Sequence, residues 1–554
     1  MREQIQKLLS QAVERAVCEV DPDWGKALPT VQVTPSRSPE HGDFASNVAL
    51  ALAKQLGMPA RELAERIAGA IVDPEGLIDR TDVAGPGFVN VFLSRLRWHD
   101  TLKAILEAGE GWGLSSAERP ERTQVEFVSA NPTGPLTVAH ARNAVLGDVL
   151  SRLLEAVGHS VTREYYFNNA GRQMRTLGES LRVRCEQELG REVELPEDAY
   201  RGAYLQKIAR DLVAEQKHEL LDAEPAFFRE AAEKAISALI RTSLERLGIR
   251  FDVHYNEQTL YDEGLVDETL EALKARDLVF EAEGAHWFRA TALGLDRDRV
   301  LVKSSGEATY LLPDIAYHRQ KFRRGFERII DVVGADHLDQ MPYVQAGTAA
   351  LGYEGERIEA VIYQFVNLRQ HGEIVKMSTR AASFVTLDEL LDDVGPDVLR
   401  YFMIERRADS HFDFDLDLAT ERSDRNPVYK IQYAHARMCS IERLALERDV
   451  RLLTPEQVPA SRLELPEEIE LVKKIGRYPE VVRRAAEKRE PQEVARYLLA
   501  VATAFHTYVT DGTRHRVLGD DPDLTQARLG LVRAIRTTLA NGLGLLGMQA
   551  PERM

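Results

Sequence analysis

The fold of this chain is most constrained by one stretch, EFVSANPTGPLTVAHARNAVLG, which runs from Glu126 to Gly147. Residues 124–128 form a short, largely apolar run, which is typical of a buried strand. An asparagine and two prolines follow, and apolar residues then recur at helical spacing over residues 138–157. The sequence therefore predicts a strand, a polar loop and a helix with His140 in its first turn. Free N–H groups at a helix N-terminus suit a phosphate, and a histidine there can donate to charge that develops on it.

His140 alone is weak evidence, because a histidine in the first turn of a helix is more often an ordinary polar residue. The surrounding stretch, however, resembles the first signature of class I aminoacyl-tRNA synthetases, whose consensus is HIGH. The framing SANPTGPL resembles the arginine-specific branch of that class. The four signature positions are Thr137, Val138, Ala139 and His140, and only the last matches the consensus.

Composition limits the possible kinds of protein. A chain of 554 residues predicts three or four domains, and its hydrophobic and charged fractions of 44% and 29% are those of a globular protein. No apolar run approaches the roughly 20 residues that cross a membrane, and the N-terminus reads as an amphipathic helix rather than a signal peptide. We therefore expect a cytoplasmic protein with no membrane contact. Its cysteines, Cys18, Cys185 and Cys439, are too far apart for a disulfide framework or a cysteine-rich zinc site, and we predict no protein-bound metal.

The formal net charge of −17 argues against a nucleic-acid partner, because a polyanion is bound through lysine and arginine. Net charge does not describe a local surface, however. Residues 471–554 carry 14 basic and 9 acidic side chains, and aromatic residues such as Tyr508 lie among them. This combination suits unpaired RNA bases, although solvated helices over packed aromatic rings explain the composition more simply.

Residues 1–117 are predicted to form a separate, small α+β domain. Helices are expected up to residue 20, over 45–56 and over 60–71, followed by a strand at VNVFLS. The segments HGDFASNVALALAKQLG and VAGPGFVNVFLS resemble the N-terminal extension of arginyl-tRNA synthetases. In that family the extension contacts the tRNA elbow, and the resemblance implies that Asn90 binds tRNA.

Residues 118–390 are predicted to form an α/β catalytic domain. HSVTREYYFNNAGRQM supplies a second strand after the helix, and this order implies a Rossmann-type parallel sheet with a right-handed crossover. The dinucleotide fingerprint and the P-loop motif are both missing, which disfavours a dehydrogenase and a P-loop NTPase. Residues 181–299 are mostly helical in pattern and are predicted to be an insertion between the two halves of the sheet.

A candidate substrate-binding segment, ATYLLPDIAYHRQKF, opens the second half of the sheet. Tyr310, Asp314 and Tyr317 are four and three residues apart, so one helical face would carry an acid and two aromatic rings. Such a face can hold a cationic side chain, although a surface acid above packed tyrosines is an equally good explanation. The next segment, RIIDVVGADHLDQ, predicts a buried strand that ends near His337, at the edge where parallel sheets bind ligands.

A second motif, KMSTR, follows another predicted strand and resembles the second class I signature, KMSKS. It begins with Lys376, Met377 and Ser378. A loop with a lysine and hydroxyl groups can close over a triphosphate and stabilise the leaving pyrophosphate. Thr379 replaces the second lysine of this signature, so the phosphate site has fewer cations than the family pattern contains.

Residues 391–554 are predicted to form an all-α domain. The segments GPDVLRYFMIERRADSHFDFDLDLA, NPVYKIQYAHARMCSIER and GLGLLGMQAPERM resemble parts of arginyl-tRNA synthetases, so the resemblance covers nearly the whole chain. In the family this domain reads the tRNA anticodon, which implies tRNA contacts for Tyr433, Arg437, Tyr508 and Met554.

The resemblance implies an enzyme that makes arginyl-adenylate from ATP and L-arginine and transfers the arginyl group to tRNA(Arg). It also implies that tRNA must be bound before activation proceeds. Mg²⁺ is expected to accompany ATP, and the protein is expected to be a monomer. The implied arginine-binding residues are Glu126, Asn131, Tyr310, Asp314 and Tyr317. The implied ATP-binding residues are Thr137, Ala139, His140, His337, Lys376, Met377 and Ser378, of which His140, Lys376 and Ser378 are the implied catalytic residues.

Two other functions remain open. An inactive paralogue that only binds tRNA is favoured by the eroded signatures. A small nucleotidyltransferase with the same kind of sheet is disfavoured by the long helical C-terminal region. Arginine-dependent pyrophosphate exchange, measured with and without tRNA, separates the three functions.

Overall fold

The structure is a computed structural model that describes residues 1–36, 38–169, 171–375 and 385–554. Three predicted site residues, Lys376, Met377 and Ser378, therefore lie outside the described residues.

The chain forms two compact units, and each is assembled from three separate stretches of sequence. The first unit comprises Met1–Gly109, Ala445–Gly476 and Arg516–Ala534. The second comprises Glu110–Leu444, Arg477–His515 and Ile535–Met554.

The N-terminal part of the first unit is an α+β fold, as predicted. Its strands form an antiparallel sheet in the order β1-β2-β4-β3, and apolar faces of its helices are buried. The predicted helices over 45–56 and 60–71 are confirmed. The elements are α1 (Arg2–Val20), β1 (Thr34–Pro35), β2 (Phe44–Ser46), α2 (Val48–Leu56), α3 (Ala60–Gly69), β3 (Ile78–Ala84), β4 (Phe88–Leu93) and α4 (Arg95–Ala108).

The second unit begins with an α/β arrangement in which strands and helices alternate. Its first elements are β5 (Arg122–Glu126), α5 (Val138–Ala156), β6 (Ser160–Phe167), α6 (Gly171–Glu188), α7 (Ala203–Gln216), α8 (Pro225–Arg246), β7 (Val253–Asn256), α9 (Gln258–Asp262) and α10 (Leu265–Lys274). These are followed by β8 (Val279–Ala282), β9 (Ala285–Phe288), β10 (Arg299–Val302), α11 (Leu311–Arg323), β11 (Arg328–Gly334), α12 (Met341–Ala350) and β12 (Ile358–Tyr363).

The remainder of the chain is mainly helical, as predicted, although the region predicted to be all-α also contains a short strand, Phe412–Asp415, which pairs with Val366–Gln370. The elements are β13 (Val366–Gln370), β14 (Glu373–Ile374), α13 (Leu387–Val394), α14 (Pro396–Ile404), β15 (Phe412–Asp415), α15 (Leu416–Thr420), α16 (Pro427–Glu447), α17 (Pro466–Gly476), α18 (Tyr478–Lys488), α19 (Gln492–Thr510) and α20 (Pro522–Leu545). In the part of the chain that the structure describes, no helix combines the length and apolar character needed to cross a bilayer.

The central sheet of the second unit is parallel, with strand order β12-β11-β5-β6-β7. The chain moves outward in one direction from β5 through β6 to β7 and in the other from β11 to β12, so the order reverses between β5 and β11. Ligands bind such sheets beyond the carboxyl ends of the strands at this reversal. Helix α5 follows β5 and packs closely against Phe127, the residue after β5. A β-carbon on Gly147 of this helix would lie only 2.1 Å from the Phe127 ring, so the contact requires glycine.

Strand β7 lies inside the predicted insertion, residues 181–299, yet it is the edge strand of the central sheet and pairs with β6. The chain therefore leaves the sheet twice in this region. The helices α6 to α8 form the first excursion, and an antiparallel sheet in the order β10-β9-β8 belongs to the second. The run VHYN was too short to stand out from the charged helical sequence around it.

Candidate active site

The loop between β5 and α5 has a strained backbone. Val128 and Ser129 have φ angles of 66° and 43°, a region that β-branched residues in particular rarely adopt. Hydrogen bonds hold this conformation: the Val128 N–H donates to Asn143 Oδ1 at 2.6 Å, and the Asn143 amide donates to the Val332 carbonyl at 2.9 Å. Since Asn143 belongs to α5 and Val332 to β11, both elements determine the shape of the loop.

His140 lies in the first turn of α5, and one of its ring nitrogens is already hydrogen-bonded. Its Nδ1 lies 3.1 Å from the backbone nitrogen of Thr137 and 3.0 Å from Thr137 Oγ1. A backbone N–H can only donate, so Nδ1 accepts and the neutral ring carries its proton on Nε2. Burial lowers the pKa of His140, which also favours the neutral ring. The side chain therefore offers an Nε2–H donor at the positive end of α5.

Residues that follow the KMSTR motif lie beside this turn. Thr386 pairs with Thr137 in an antiparallel bridge, and the Leu387 N–H donates to the Leu136 carbonyl at 2.8 Å. The Thr386 hydroxyl, together with Glu389, caps α13. The residues that follow the second signature are thus fixed next to the first signature.

Glu126, at the end of β5, has both carboxylate oxygens hydrogen-bonded. Its Oε1 accepts from Ser129 Oγ at 2.9 Å, and its Oε2 accepts from Lys321 Nζ at 2.6 Å. Lys321 also donates to Asp331 Oδ1 at 2.8 Å, and its side chain is fully buried. The sequence pattern gave no signal for Lys321, because HRQK in a helix reads as an ordinary solvated face.

Asp314 lies in the first turn of α11, where negative charge is concentrated. Burial raises the pKa of Asp314 to about 7; His318 opposes this shift, and three neighbouring carboxylates reinforce it. These carboxylates are those of Glu126, Glu257 and Asp331. Asp314 Oδ2 accepts from the Gln340 amide, a partner that the sequence pattern did not single out.

Glu257 follows the edge strand β7 and lies near enough to Asp314 to raise its pKa. Its Oε2 accepts from the Tyr166 hydroxyl at 2.9 Å, and the Tyr166 ring packs on Tyr317 with 4.5 Å between centroids. Burial, together with the carboxylates of Glu257 and Asp314, raises the pKa of Tyr261 to about 12, so this ring also faces the acidic groups. Had VHYN been recognised as a strand of the central sheet, the position of Glu257 at its carboxyl end would have marked it as a candidate.

Aromatic rings and the carboxylates of Asp314 and Glu257 thus lie close together near the ends of β5 and β7, beside the first turn of α11, and these side chains form the candidate pocket. Among the residues that the structure describes, no lysine, arginine or histidine nitrogen forms an ion pair with the side chain of Asp314 or Glu257. The pocket therefore has a net negative charge that its own side chains leave unbalanced, which suits a cationic ligand.

The two tyrosines that the sequence placed on one face of α11 have different environments. Tyr317 is 2% exposed, and its hydroxyl donates to Glu164 at 2.6 Å. Tyr310 precedes α11, is 82% exposed and borders a cavity of about 550 Å³ that also reaches Gln340. Tyr317 therefore forms part of the packed pocket wall, whereas Tyr310 is open to solvent beside it.

The other predicted ligand-binding residues surround the ends of β5 and β11. Asn131 is exposed, and its Oδ1 accepts from the Asn168 N–H at 2.9 Å. His337 ends a short turn after β11, and its side chain is 56% exposed. Ala139 is half-buried in the first turn of α5. These positions lie at the carboxyl edge of the sheet, where the strand order reverses.

One predicted tRNA-binding residue of the helical region, Tyr433, belongs to a stack of aromatic rings. The rings of Tyr429 and Tyr433 stack with 5.9 Å between centroids, and His506 stacks on Tyr433 at 5.8 Å. Tyr433 is partly exposed and Met554 is 55% exposed, while Arg437 is half-buried.

Asn90 and Tyr508 differ from the other predicted tRNA-binding residues because both are buried. Asn90 in β4 is 3% exposed. Tyr508 in α19 is 4% exposed and stacks on His515 with 4.4 Å between centroids. A tRNA contact by either side chain would require it to become exposed.

Three family models match successive parts of the chain. Residues 101–410 match the family model described as "tRNA synthetases class I (R), catalytic domain". Residues 3–93 match "Arginyl tRNA synthetase N terminal domain", and residues 431–554 match "DALR anticodon binding domain". The fold and the catalytic-domain match define a class I aminoacyl-tRNA synthetase.

Full-length relatives identify the family within this class. The chain is 45% identical to an arginine–tRNA ligase of Desulfotalea psychrophila and 43% identical to one of Syntrophotalea carbinolica, in both cases over the whole of both chains. Its fold is that of the Thermus thermophilus arginyl-tRNA synthetase, with a TM-score of 0.77, 24% identity and full coverage of both chains. The chain belongs to the arginyl-tRNA synthetase family. None of these comparisons supports the inactive paralogue that the eroded signatures left open.

Proposed function

We propose that the pocket between β5, β7 and α11 binds L-arginine, and that the N-terminus of α5 binds ATP, in an enzyme that ligates arginine to tRNA through arginyl-adenylate. The observation that carries the arginine assignment is the pair of carboxylates, Asp314 and Glu257, that the described residues leave without a cationic partner. A guanidinium can donate to both, and paired carboxylates select a planar, doubly donating cation.

The amino-acid end of the substrate would lie toward Glu126 and Asn131. Both residues border the strained loop that leads to His140, so this end of the pocket is the one nearest the ATP site. Tyr317 and Tyr166 would pack along the aliphatic part of arginine, and Gln340 would share Asp314 with the guanidinium. This orientation directs the arginine carboxylate toward the α-phosphate of ATP, as in-line adenylate formation requires.

Four groups would serve the triphosphate: His140, the N-terminus of α5, the residues of the second signature and Mg²⁺. Neutral His140 donates through Nε2, and α5 presents its free N–H groups. By family resemblance Lys376 and Ser378 act on the leaving pyrophosphate. Mg²⁺ would enter with ATP, held mainly by phosphate oxygens and water, and would neutralise part of the phosphate charge. In the described part of the chain no cluster of three metal-ligating side chains offers it a separate site.

Transfer to tRNA needs recognition far from the adenylate. The stack of Tyr429, Tyr433 and His506 presents ring faces on which unpaired bases can stack, with Arg437 nearby. We propose that this surface and the exposed Met554 contact tRNA(Arg). We also propose that the protein works as a monomer in the cytoplasm.

Arginine-dependent exchange of pyrophosphate into ATP tests the proposal. We expect exchange with the wild-type chain when tRNA(Arg) and Mg²⁺ are present, and a large rise in the arginine KM but not the ATP KM for Asp314→Asn. Losing one partner of a buried charge pair costs about 3–5 kcal/mol. Equal changes in both KM values would remove Asp314 from the arginine pocket.

A further inference from the structure

The arginine pocket contains a buried lysine that has no role in the arginine or ATP binding proposed for this site. Lys321 in α11 is fully buried, and its Nζ lies 2.6 Å from Glu126 Oε2 and 2.8 Å from Asp331 Oδ1. It also lies 4.4 Å from the centroid of the Tyr317 ring. Burial alone would lower the pKa of Lys321, but Asp331 and Glu126 reverse this, so the amine is charged. A buried cation with two carboxylate partners is costly to build, and its position between β5, β11 and α11 calls for an explanation.

His318, one turn before Lys321, shares Asp331 with it. Its Nε2 lies 2.7 Å from Asp331 Oδ2, and its Nδ1 lies 2.7 Å from the Asp314 carbonyl oxygen. Although burial would raise the pKa of Asp331, Lys321 and His318 hold it well below its usual range, so Asp331 is ionised. A carbonyl and a carboxylate can only accept, so both ring nitrogens of His318 are placed to donate.

We propose that Lys321 and His318 are positioning residues of the arginine pocket, an inference that rests on the proposed assignment of this pocket to arginine. Lys321 holds the Glu126 carboxylate at the end of β5. His318 holds the backbone of Asp314 through its carbonyl, so that the Asp314 side chain is aimed into the pocket. Asp331, on the neighbouring strand β11, is hydrogen-bonded to both side chains.

The same network determines how much negative charge remains for the substrate. The Glu164 carboxylate is bound by Arg324 at 2.7 Å and by the Tyr317 hydroxyl, so it is internally satisfied. Lys321 and His318 satisfy Glu126 and Asp331 in the same way. The carboxylates that remain are those of Asp314 and Glu257, which accept only from neutral groups, Gln340 and the Tyr166 hydroxyl. The guanidinium of arginine can donate to both of these carboxylates, so the pair matches the cationic end of its side chain.

Lys321→Met tests the positioning of Glu126, because methionine keeps most of the length of the unbranched side chain and removes the charge. We expect the arginine KM to rise by at least about tenfold in exchange assays with tRNA, since a buried carboxylate loses its cation. The ATP KM should stay within about twofold of the wild-type value, because the network does not reach the first turn of α5. Arg323→Met is the matched control: it removes a cation from the same helix, but Arg323 pairs with Glu268 outside the pocket. An unchanged arginine KM, or equal changes in both KM values, would overturn the proposal.

The double variant Lys321→Met/Asp331→Asn separates positioning from charge balance. It removes one positive and one negative charge, so the net charge of the pocket is unchanged, but Glu126 still lacks its tether. We expect the arginine KM to remain high. Recovery of the wild-type KM would show that Lys321 only balances charge and would overturn its positioning role. If Lys321→Met fails to fold by circular dichroism, the double variant carries this test alone.

His318→Gln tests the second positioning residue through a pH profile. Asp314 is faced by His318 on its own helix, by Glu126 from β5, by Glu257 after β7 and by Asp331 from β11. Replacing His318 by a neutral amide removes the electrostatic interaction by which His318 lowers the pKa of Asp314. We expect the acid limb of kcat/KM for arginine to move to higher pH by about one unit or more. A uniform loss of activity with an unmoved limb would overturn the proposed role of His318.

Asp314→Asn, measured in parallel, separates failure of this proposal from failure of the arginine assignment. If Asp314→Asn leaves the arginine KM unchanged, the pocket does not bind arginine and both proposals fall. If Asp314→Asn raises the arginine KM while Lys321→Met does not, the pocket assignment stands and only the positioning role is refuted.

Discussion

Arginine binding should depend on pH through Asp314. The pKa of its carboxyl in the free protein is raised to about 7 by burial and by surrounding carboxylates. The arginine cation favours the ionised form, so binding should release a proton whenever Asp314 is protonated beforehand. Because burial raises the pKa of Asp314 to about 7, its protonated form dominates below that pH. The arginine affinity should therefore fall as the pH is lowered through about 7.

The size of this effect follows from the ionised fraction. With a pKa of about 7, roughly nine-tenths of the molecules are ionised at pH 8 and roughly one-tenth at pH 6, so the arginine KM should rise about tenfold between them. The measurement is the arginine KM in pyrophosphate exchange from pH 5.5 to 8.5, with saturating tRNA and ATP.

Two variants separate Asp314 from other titrating groups. Asp314→Asn should raise the KM overall and flatten its dependence on pH. Glu268→Gln should keep the wild-type profile, because Glu268 binds Arg319 and Arg323 on the outer side of α11. The reasoning is refuted if the wild-type KM does not change between pH 6 and 8, or if the acid limb persists in Asp314→Asn.

Three further predictions concern ATP and tRNA. His140→Ala should lower adenylate formation by about 10²–10³ in single-turnover assays and leave the arginine KM unchanged, because a donor to the developing phosphate charge is lost; a drop below about threefold contradicts the role of His140. Lys376→Ala should have an effect of similar size on the same step, and a selective rise in the arginine KM would instead assign Lys376 to the other substrate. Tyr433→Ala should raise the tRNA KM by at least about fivefold, because base stacking contributes about 1–3 kcal/mol, and an unchanged tRNA KM would remove this ring from the tRNA surface.

The sequence predicted those parts of the site whose residues follow one another along the chain. The strand before Asn131 and the helix after Leu136 are observed as β5 and α5, because their apolar spacing differs clearly and prolines separate them. Asp314 was found in the same way, as an acid at helical spacing from two tyrosines.

Groups that meet only through the sheet could not be found from local patterns. Lys321 and Glu126 are far apart in sequence, and their ion pair exists because α11 packs against the face of the sheet to which Glu126 points. Glu257 was missed because β7 is a short edge strand within a charged helical region. The spacing of Tyr310 and Tyr317 did not predict their different exposure: Tyr310, at the N-cap of α11, is 82% exposed, whereas Tyr317 is 2% exposed.

The division of the chain into two interleaved units has a consequence for biosynthesis. The N-terminal residues up to Gly109 share their unit with Ala445–Gly476 and Arg516–Ala534, and His99 and Asp43 contact Leu463 and Lys473 there. A ribosome makes these partners only after nearly all of the second unit has been translated. The N-terminal part must therefore wait for most of the synthesis time before its own core is complete. We expect a nascent chain that stops before Ala445 to expose apolar surface of α4. The N-terminal part should therefore depend on chaperones more than its small size would suggest.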